Sequence, residues 1–157
     1  MNIQNLITEL ENTKGIGNKT LLKIKEVVAK YKPLTEDQKV VNYFRDKIKV
    51  NLDTEENFWI ILLNTSLYPT KIITLSLGSA QSATISNRRL LRELLNNNAT
   101  KIILVHNHPS GTLTPSDSDI ILTKGLKNVV NLLEVEIIDH IIIGKYNHYS
   151  FANNGLI

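Results

Sequence analysis

HNHPSGTLTPSDSD, residues 106–119 of the chain, is predicted to contain a strand end, a turn and the start of a helix. The apolar run Ile102–Val105 before it has no glycine or proline, which predicts a buried strand running into the histidines. Proline cannot donate a hydrogen bond to a neighbouring strand, so Pro109–Gly111 predicts a turn. Thr114–Asp117 has the T-x-x-D pattern of a capping box, with proline at the first helical position. We therefore expect a helix with Thr114 as its N-cap.

Three side chains in this stretch have the chemistry of metal ligands. His106 and His108 stand two residues apart, and alternate side chains of a strand lie on one face, so both imidazoles can point at one ion. Asp119 falls in or near the first turn of the following helix. Two neutral imidazoles and one carboxylate suit zinc, and three protein ligands leave a position for water, as in catalytic sites. The alternative is two polar residues at a strand end and a carboxylate that favours the helix dipole.

Composition limits the class of protein. The chain has 157 residues, enough for one ordinary domain and a small appendage, and its 42% hydrophobic and 21% charged residues are typical of a soluble globular protein. The absence of cysteine excludes disulfides and thiolate zinc sites. No segment has the pattern of a signal peptide or a membrane span, so we expect a cytoplasmic protein without a membrane partner. A net charge of +3 is compatible with binding to nucleic acid but does not require it.

Residues 1–32 are predicted to form a small α-helical hairpin. Apolar residues have helical spacing before and after the segment Lys14-Gly15-Ile16-Gly17, and this arrangement resembles a helix-hairpin-helix unit. Glycines in such a turn allow close approach of a backbone, and the next helix can present N–H groups to a phosphate. A DNA contact through Lys14, Gly15, Gly17 and Lys19 is therefore one interpretation. A hairpin with a lysine-rich solvated face is the other.

Residues 33–157 are predicted to form a mixed α/β sheet flanked by helices. A capping box at Thr35–Gln38 predicts a helix, and apolar runs at residues 58–63 and 71–77 predict two paired antiparallel strands. A loop of small residues, Gly78 to Thr84, precedes a helix capped by Ser86 or Asn87. Beyond the histidine stretch, the pattern predicts a helix at 120–133 and strands at 134–143 and 146–151. His140 lies inside one of these strands and is interpreted as a hydrogen-bonded core histidine.

The complete string H-x-H, seven residues, S-x-x-D resembles the metal-binding motif of the JAMM (MPN-plus) metallohydrolases. The flanking residues are most similar to the bacterial RadC branch, whose pattern is approximately HNHPSG-x-x-x-PS-x-x-D. The resemblance extends from about residue 33 to the C-terminus. It includes the segments Glu56-Asn57-Phe58, Gly78 to Ala83 with Arg88, Asp139 to Gly144, and Tyr149-Ser150-Phe151.

The resemblance implies the JAMM/MPN fold, with the layering of cytidine deaminases, and one zinc ion per chain held by His106, His108 and Asp119. It implies that a glutamate ahead of the first strand is the catalytic carboxylate. Glu56 fits the family spacing, because it stands two residues before Phe58, and Glu55 is the fallback. It also implies that Ser116 donates a hydrogen bond to the oxyanion of a tetrahedral intermediate.

Three functions stay open on these residues. The first is a zinc metallohydrolase acting on a peptide or isopeptide bond, as JAMM relatives do, with recruitment to DNA through residues 1–32. The second is a DNA-processing enzyme that uses the same site on a phosphodiester. The third is a binding module in which the metal only stabilises the fold. A complete ligand set with an upstream glutamate favours an enzyme over the third. The sequence predicts neither a particular substrate nor an oligomeric state.

Overall fold

The structure is a computed structural model that describes residues 10, 12–13, 15, 17–30, 32–77 and 86–157. The chain consists of two compact units, Met1–Pro33 and Leu34–Ile157. In the described part of the first unit, α1 spans Asn18–Lys30. The carbonyl of Gly17 accepts hydrogen bonds from the backbone N–H groups of Thr20 and Leu21 at 2.9 and 3.1 Å and so starts this helix.

The predicted turn before α1 is described only in part. Gly15 has a φ of +109°, in the left-handed region that favours glycine. Leu6 and Ile7 of the predicted first helix, together with Lys14 and Ile16, lie outside the described residues. The same is true of the predicted small-residue loop, Gly78 to Thr84. Within the described ranges, no helix is long and apolar enough to cross a membrane.

The second unit contains a five-stranded mixed sheet flanked by helices, as predicted. Its elements are α2 (Asp37–Lys47), β1 (Asn57–Leu63), β2 (Pro69–Leu77), α3 (Asn87–Asn96), β3 (Lys101–His106), α4 (Asp117–Asn131), β4 (Glu136–Ile143) and β5 (His148–Ser150). The strands lie in the order β2-β1-β3-β4-β5. Only β3 and β4 are parallel, and the other neighbouring pairs are antiparallel. The predicted succession of helices and strands is confirmed.

The central strands are buried on both sides because helices cover both faces of the sheet. Every residue of β1 is buried, and alternate side chains point to opposite faces. One face, with Ile60 and Leu62, packs against apolar residues of α3 and α4. The other face, with Trp59 and Ile61, packs against α2. The sheet is therefore fixed from both sides, and side chains at its strand ends have a rigid support.

Three chain segments meet at one end of the sheet. β3 ends at His106, which pairs with Phe58 near the start of the antiparallel β1. The loop 107–116 leaves β3 at this point and leads into α4. On the other side of β3, the parallel β4 places His140 beside Leu104. The histidine stretch, the residues before β1 and the middle of β4 are therefore neighbours.

The predicted N-terminal capping of two helices is wrong. Helix α4 begins at Asp117 with Ser116 as its N-cap, and not with Thr114. Both T-x-x-D and S-x-x-D patterns occur here, and the second forms the reciprocal bonds, with Ser116 Oγ accepting from the Asp119 N–H and Asp119 Oδ2 accepting from the Ser116 N–H. Helix α2 has Glu36 as its N-cap with no side-chain capping bond. Thr35 accepts a hydrogen bond from Lys39 instead. The predicted cap Ser86 of α3 is confirmed.

Candidate metal centre

The four predicted metal-site and base residues converge at this end of the sheet. Glu56, His106, His108 and Asp119, hereafter the ligand cluster, each offer a nitrogen or carboxylate oxygen, and these atoms all lie within 4.8 Å of one another. The Nε2 atoms of the two histidines are 2.9 Å apart. Asp119 places Oδ1 3.2 Å from His106 Nε2 and Oδ2 3.4 Å from His108 Nε2. The ligand atoms of the two histidines and the aspartate thus surround one common position.

These separations fit a zinc ion bound by the three side chains. Two ligands at about 2.0–2.1 Å from a tetrahedral zinc ion stand about 3.3 Å apart, close to the observed 2.9–3.4 Å. The Nδ1 atom of His108 lies 2.7 Å from the carbonyl oxygen of Thr112, which can only accept a hydrogen bond. Nδ1 therefore carries the proton, and in the neutral ring Nε2 is left as a free donor to a metal.

His108 reaches the cluster although it lies beyond the strand. β3 ends at His106, so the strand alternation used to predict the pair covers only its first member. The Thr112 carbonyl orients the His108 ring, and Gly111, with a φ of +77°, forms the turn that brings this carbonyl back. The Gly111 N–H also donates to the His108 carbonyl at 2.9 Å. The Pro109–Gly111 turn predicted from the sequence is thus part of how His108 is held.

The structure places Glu56, and not Glu55, in the ligand cluster. The Glu56 side chain is half-buried beside the histidines, whereas Glu55 is exposed. Burial raises the pKa of Glu56. The positive charge of the nearby histidines partly offsets this rise, and the negative charge of Asp119 increases it. A carboxylate with a raised pKa lies closer to the range in which a group can both accept and release a proton. The geometry therefore selects Glu56 as the candidate general base.

Asn107 holds the segment that carries Glu56. It is completely buried, and its Oδ1 accepts a hydrogen bond from the Asn57 N–H at 2.9 Å. Its Nδ2 donates to the carbonyl oxygens of Leu52 at 2.7 Å and Glu55 at 2.8 Å. These bonds lie on both sides of Glu56 in the chain. Asn107 points away from the metal face, as expected for the residue between two ligands, and fixes the backbone from which the glutamate projects.

The carboxylate of Asp119 is kept ionised by its neighbours. Burial alone would raise its pKa, but the close His106 and His108 rings and the hydrogen bond from Ser116 hold the pKa well below the ordinary value. For His108 the contact with Asp119 is the main cause of a raised pKa, against the opposing effect of burial. The negative charge of the Asp119 carboxylate favours a cation at this position.

Ser116 has a structural role in the site as it stands. Its Oγ donates a hydrogen bond to Asp119 Oδ2 at 2.7 Å and accepts one from the Asp119 N–H at 3.2 Å. These contacts start α4 and orient the Asp119 carboxylate at the same time. The serine predicted from the family motif therefore lies directly beside one predicted ligand.

Two buried residues behind the ligand cluster were not predicted as part of the site. His140 and Thr123 are 0% and 3% exposed. His140 Nε2 lies 2.7 Å from His106 Nδ1, and His140 Nδ1 lies 2.7 Å from Thr123 Oγ1. His140 is the hydrogen-bonded core histidine expected from the sequence, but its partner is a predicted ligand. Burial lowers its pKa well below the ordinary value, so the ring is neutral. Thr123 stands four residues after Asp119 on one helix face, and that spacing could have indicated it.

A cleft of about 170 Å³ opens beside His108. Its walls come from three parts of the chain, namely Leu52 and Asp53, Gly111 and Leu113, and residues 144–147. The side chain of Tyr146 is 79% exposed at this cleft. A substrate can therefore approach the ligand cluster from the side of His108, while the side of His106 is closed by the core.

The predicted nucleic-acid contacts belong to the other compact unit. Gly15, Gly17 and Lys19 are exposed. Lys14 lies outside the described residues. A DNA contact through these residues stays a prediction.

The chain resembles known proteins over most of its length. A sequence model of the RadC-like JAB domain matches residues 34–156. A UPF0758 protein of Coprothermobacter proteolyticus is 40% identical over 103 residues, which are 66% of this chain and 44% of that protein. UPF0758 proteins of Clostridioides difficile and Pelodictyon phaeoclathratiforme are 34% and 32% identical, and each alignment covers 96% of this chain. The alignments cover 68% and 72% of those two relatives. The chain thus spans less than half of the first relative.

Proposed function

Since this chain belongs to the RadC-like JAB domain family, we propose that it is a zinc-dependent metallohydrolase that cleaves a peptide or isopeptide bond. The observation that carries the proposal is the convergence of His106, His108 and Asp119 with a half-buried Glu56. Two imidazoles and one carboxylate are the donor set of catalytic zinc sites. A glutamate beside such a set supplies the proton acceptor that hydrolysis needs.

His106, His108 and Asp119 would hold the zinc ion, which would polarise a carbonyl and make a water molecule more acidic. Glu56 accepts a proton from the attacking water on its carboxylate oxygen. It then donates that proton to the leaving nitrogen as the carbon–nitrogen bond breaks. The carbonyl oxygen carries negative charge between these two steps.

Ser116 donates a hydrogen bond to that negative oxygen in the proposed mechanism. Its hydroxyl hydrogen points at Asp119 Oδ2 in the structure, and rotation about the Cβ–Oγ bond would turn it toward the substrate. The hydroxyl oxygen can still accept the hydrogen bond from the Asp119 N–H that caps α4, and only the bond to Asp119 Oδ2 is given up. The exposed cleft beside His108 is the proposed route of entry.

The test compares Glu56→Gln with Glu55→Gln. Both variants remove one carboxylate, but only Glu56 lies in the ligand cluster. Fluorogenic peptides and lysine-linked isopeptides are the substrates, and a DNA oligonucleotide is screened beside them. We expect Glu56→Gln to keep zinc content and thermal stability while hydrolysis falls about 10²–10⁴-fold, and Glu55→Gln to match the wild type.

The other outcomes separate the alternatives. Cleavage of the oligonucleotide alone favours phosphodiester chemistry at the same site. Zinc binding without cleavage of any substrate, in the wild type and in both variants, favours the binding module. Either result contradicts the proposed peptidase.

Recruitment to DNA through residues 1–32 is a separate part of the proposal, supported by the left-handed Gly15 and the exposed Lys19. Replacing Lys14 and Lys19 by glutamate should weaken DNA binding and reduce its dependence on salt. The matched control replaces Lys124 and Lys127, two exposed lysines of α4, by glutamate. Equal loss in both double variants would mean that net charge, and not this segment, attracts DNA. A cytoplasmic location likewise stays a prediction.

A further inference from the structure

The buried side of the ligand cluster contains a continuous hydrogen-bonded chain, hereafter the histidine–threonine chain. It runs from His106 Nδ1 to His140 Nε2 at 2.7 Å, and from His140 Nδ1 to Thr123 Oγ1 at 2.7 Å. It ends where Thr123 Oγ1 donates to the backbone carbonyl of Asp119 at 2.6 Å. The chain therefore begins at one predicted ligand and ends on the backbone of another, and it joins β3, β4 and α4.

The Asp119 carbonyl at the end of the histidine–threonine chain fixes the direction of every hydrogen bond in it. A carbonyl oxygen can only accept, so the single hydroxyl hydrogen of Thr123 must point at Asp119. Thr123 Oγ1 must then accept its other hydrogen bond, and His140 Nδ1 is the donor. In a neutral imidazole the second nitrogen is an acceptor, so His140 Nε2 accepts from His106 Nδ1. His106 therefore carries its proton on Nδ1.

The position of this proton determines whether the metal-facing nitrogen of His106 has a free lone pair. With the proton on Nδ1, the Nε2 atom of a neutral His106 has a free lone pair, and this atom lies 3.2 Å from Asp119 Oδ1 and 2.9 Å from His108 Nε2. We infer that His140 and Thr123 are positioning residues that hold His106 in the one tautomer able to bind the metal through Nε2. The inference rests on the proposed metal site and extends it to two residues that do not touch the metal.

Water cannot easily replace His140 or Thr123 as a hydrogen-bond partner, because aromatic rings enclose the histidine–threonine chain. The His140 ring stacks on Phe151 with a centroid distance of 4.5 Å and lies 5.5 Å from Phe58. Phe58 also stacks on His106 at 5.8 Å. In such surroundings an imidazole N–H without an acceptor is costly, so the tautomer follows the available protein partners.

The variant that tests the chain is Thr123→Val, with Thr123→Ser as its conservative counterpart. Valine removes the acceptor of His140 Nδ1, and the His140 proton is then better placed on Nε2, where it donates to His106 Nδ1. The His106 proton moves to Nε2 and occupies the atom that binds the metal. We expect zinc affinity, measured by competition with a chromogenic chelator, to fall about 10–100-fold in Thr123→Val. Thr123→Ser should stay within a few-fold of the wild type.

A third variant separates this effect from general damage to the core. Ser150→Ala removes another buried hydroxyl, which donates to Asp139 and is not part of the chain. It should lower thermal stability without changing zinc affinity. Equal zinc affinity in Thr123→Val and Thr123→Ser, or an equal loss in Ser150→Ala, would overturn the inference.

The decisive measurement needs no variant. In the metal-free wild-type protein, nitrogen-15 NMR of the imidazole rings reports which ring nitrogen carries the proton. The inference predicts Nδ1–H for both His106 and His140, and a proton on Nε2 of His140 would overturn it. Failure of the proposed function looks different, because the wild type would then take up no zinc, or would cleave none of the peptide substrates, whatever the tautomer of His106. The tautomer result stands in either case.

Discussion

The ligand cluster has two halves that the protein holds in different ways. The inner half, His106 and Asp119, is almost fully buried, at 1% and 7% exposure. Side chains from two other elements, His140 of β4 and Ser116 before α4, hold it in place. The outer half, His108 and Glu56, is half-buried. It is held through the backbone, by the Thr112 carbonyl and by the segments around Glu56 that Asn107 contacts.

The difference separates two tasks. Buried side-chain hydrogen bonds are costly to break, so the inner half keeps a fixed geometry and sets where a metal can lie. In the outer half, His108 lines the cleft that we propose as the route of substrate entry. On the proposed function, the inner half would bind the metal and the outer half would take part in the chemistry.

The largest effect should distinguish His106→Ala from His108→Ala. Both variants lose a metal ligand, so zinc affinity should fall at least about 100-fold in each. Only His106→Ala also leaves a cavity in the core and removes the partner of His140. The metal-free His106→Ala protein should therefore lose on the order of 3 kcal/mol in the free energy of unfolding. His108→Ala should lose less than about 1 kcal/mol. Urea unfolding measures both, and equal losses would remove the distinction between the halves.

A smaller effect is expected from Asn107→Ala, which acts on the outer half alone. The substitution leaves the Asn57 N–H and the Leu52 and Glu55 carbonyls without their partner. Displacement of Glu56 should lower kcat about 10–100-fold, while zinc affinity changes little.

Asn64→Ala is the matched control for Asn107→Ala. The Asn64 side chain accepts backbone N–H bonds from Ser66 and Tyr68 in the turn at the opposite end of β1. This control should lose stability without losing kcat. If Asn107→Ala abolished zinc binding as well, Asn107 would serve both halves and not one.

The smallest effect concerns a carboxylate outside the ligand cluster. A hydrogen bond from His148 lowers the pKa of Asp37, and burial only partly opposes it. A carboxylate with a lowered pKa in the folded chain stabilises it above the unfolded value of about 3.9. That contribution disappears as the pH falls through the folded pKa. Asp37→Asn should therefore cost about 0.5–1 kcal/mol at neutral pH and make stability less dependent on pH below 4.

The Asp37 variant also serves as a control for both halves of the ligand cluster. Zinc affinity and kcat should equal those of the wild type, since Asp37 contacts His148 and Asn153 and no member of the ligand cluster. Thermal unfolding between about pH 2 and pH 7 measures the stability effect. If stability fell at acidic pH in the same way in Asp37→Asn and in the wild type, this hydrogen bond would contribute nothing to stability.

The fold and the meeting of the three predicted ligands could be predicted because their determinants are local. The apolar runs of β1 and β3 decide the central strands, and the predicted ligands His106, His108 and Asp119 lie within a single short stretch. The capping residues were harder, because two S/T-x-x-D patterns overlap before α4 and only the three-dimensional contacts favour Ser116.

The support of the inner half could not be predicted from local pattern. His140 reaches His106 only because β4 pairs with β3 in a register that places it beside Leu104. Thr123 reaches His140 only because α4 packs on the sheet at that point. Strand register and helix docking depend on the whole core, so residues that act through them are recognised only in the folded chain.

The central claim is that the ligand cluster binds a metal ion. Its most direct test is the metal content of the purified protein, with Asp119→Ala beside the wild type and Glu55→Gln as the control that keeps all three ligands. We predict about one zinc per chain in the wild type and in Glu55→Gln, and almost none in Asp119→Ala. A wild-type protein that contains no metal, and takes up none from added zinc before dialysis, would contradict the account.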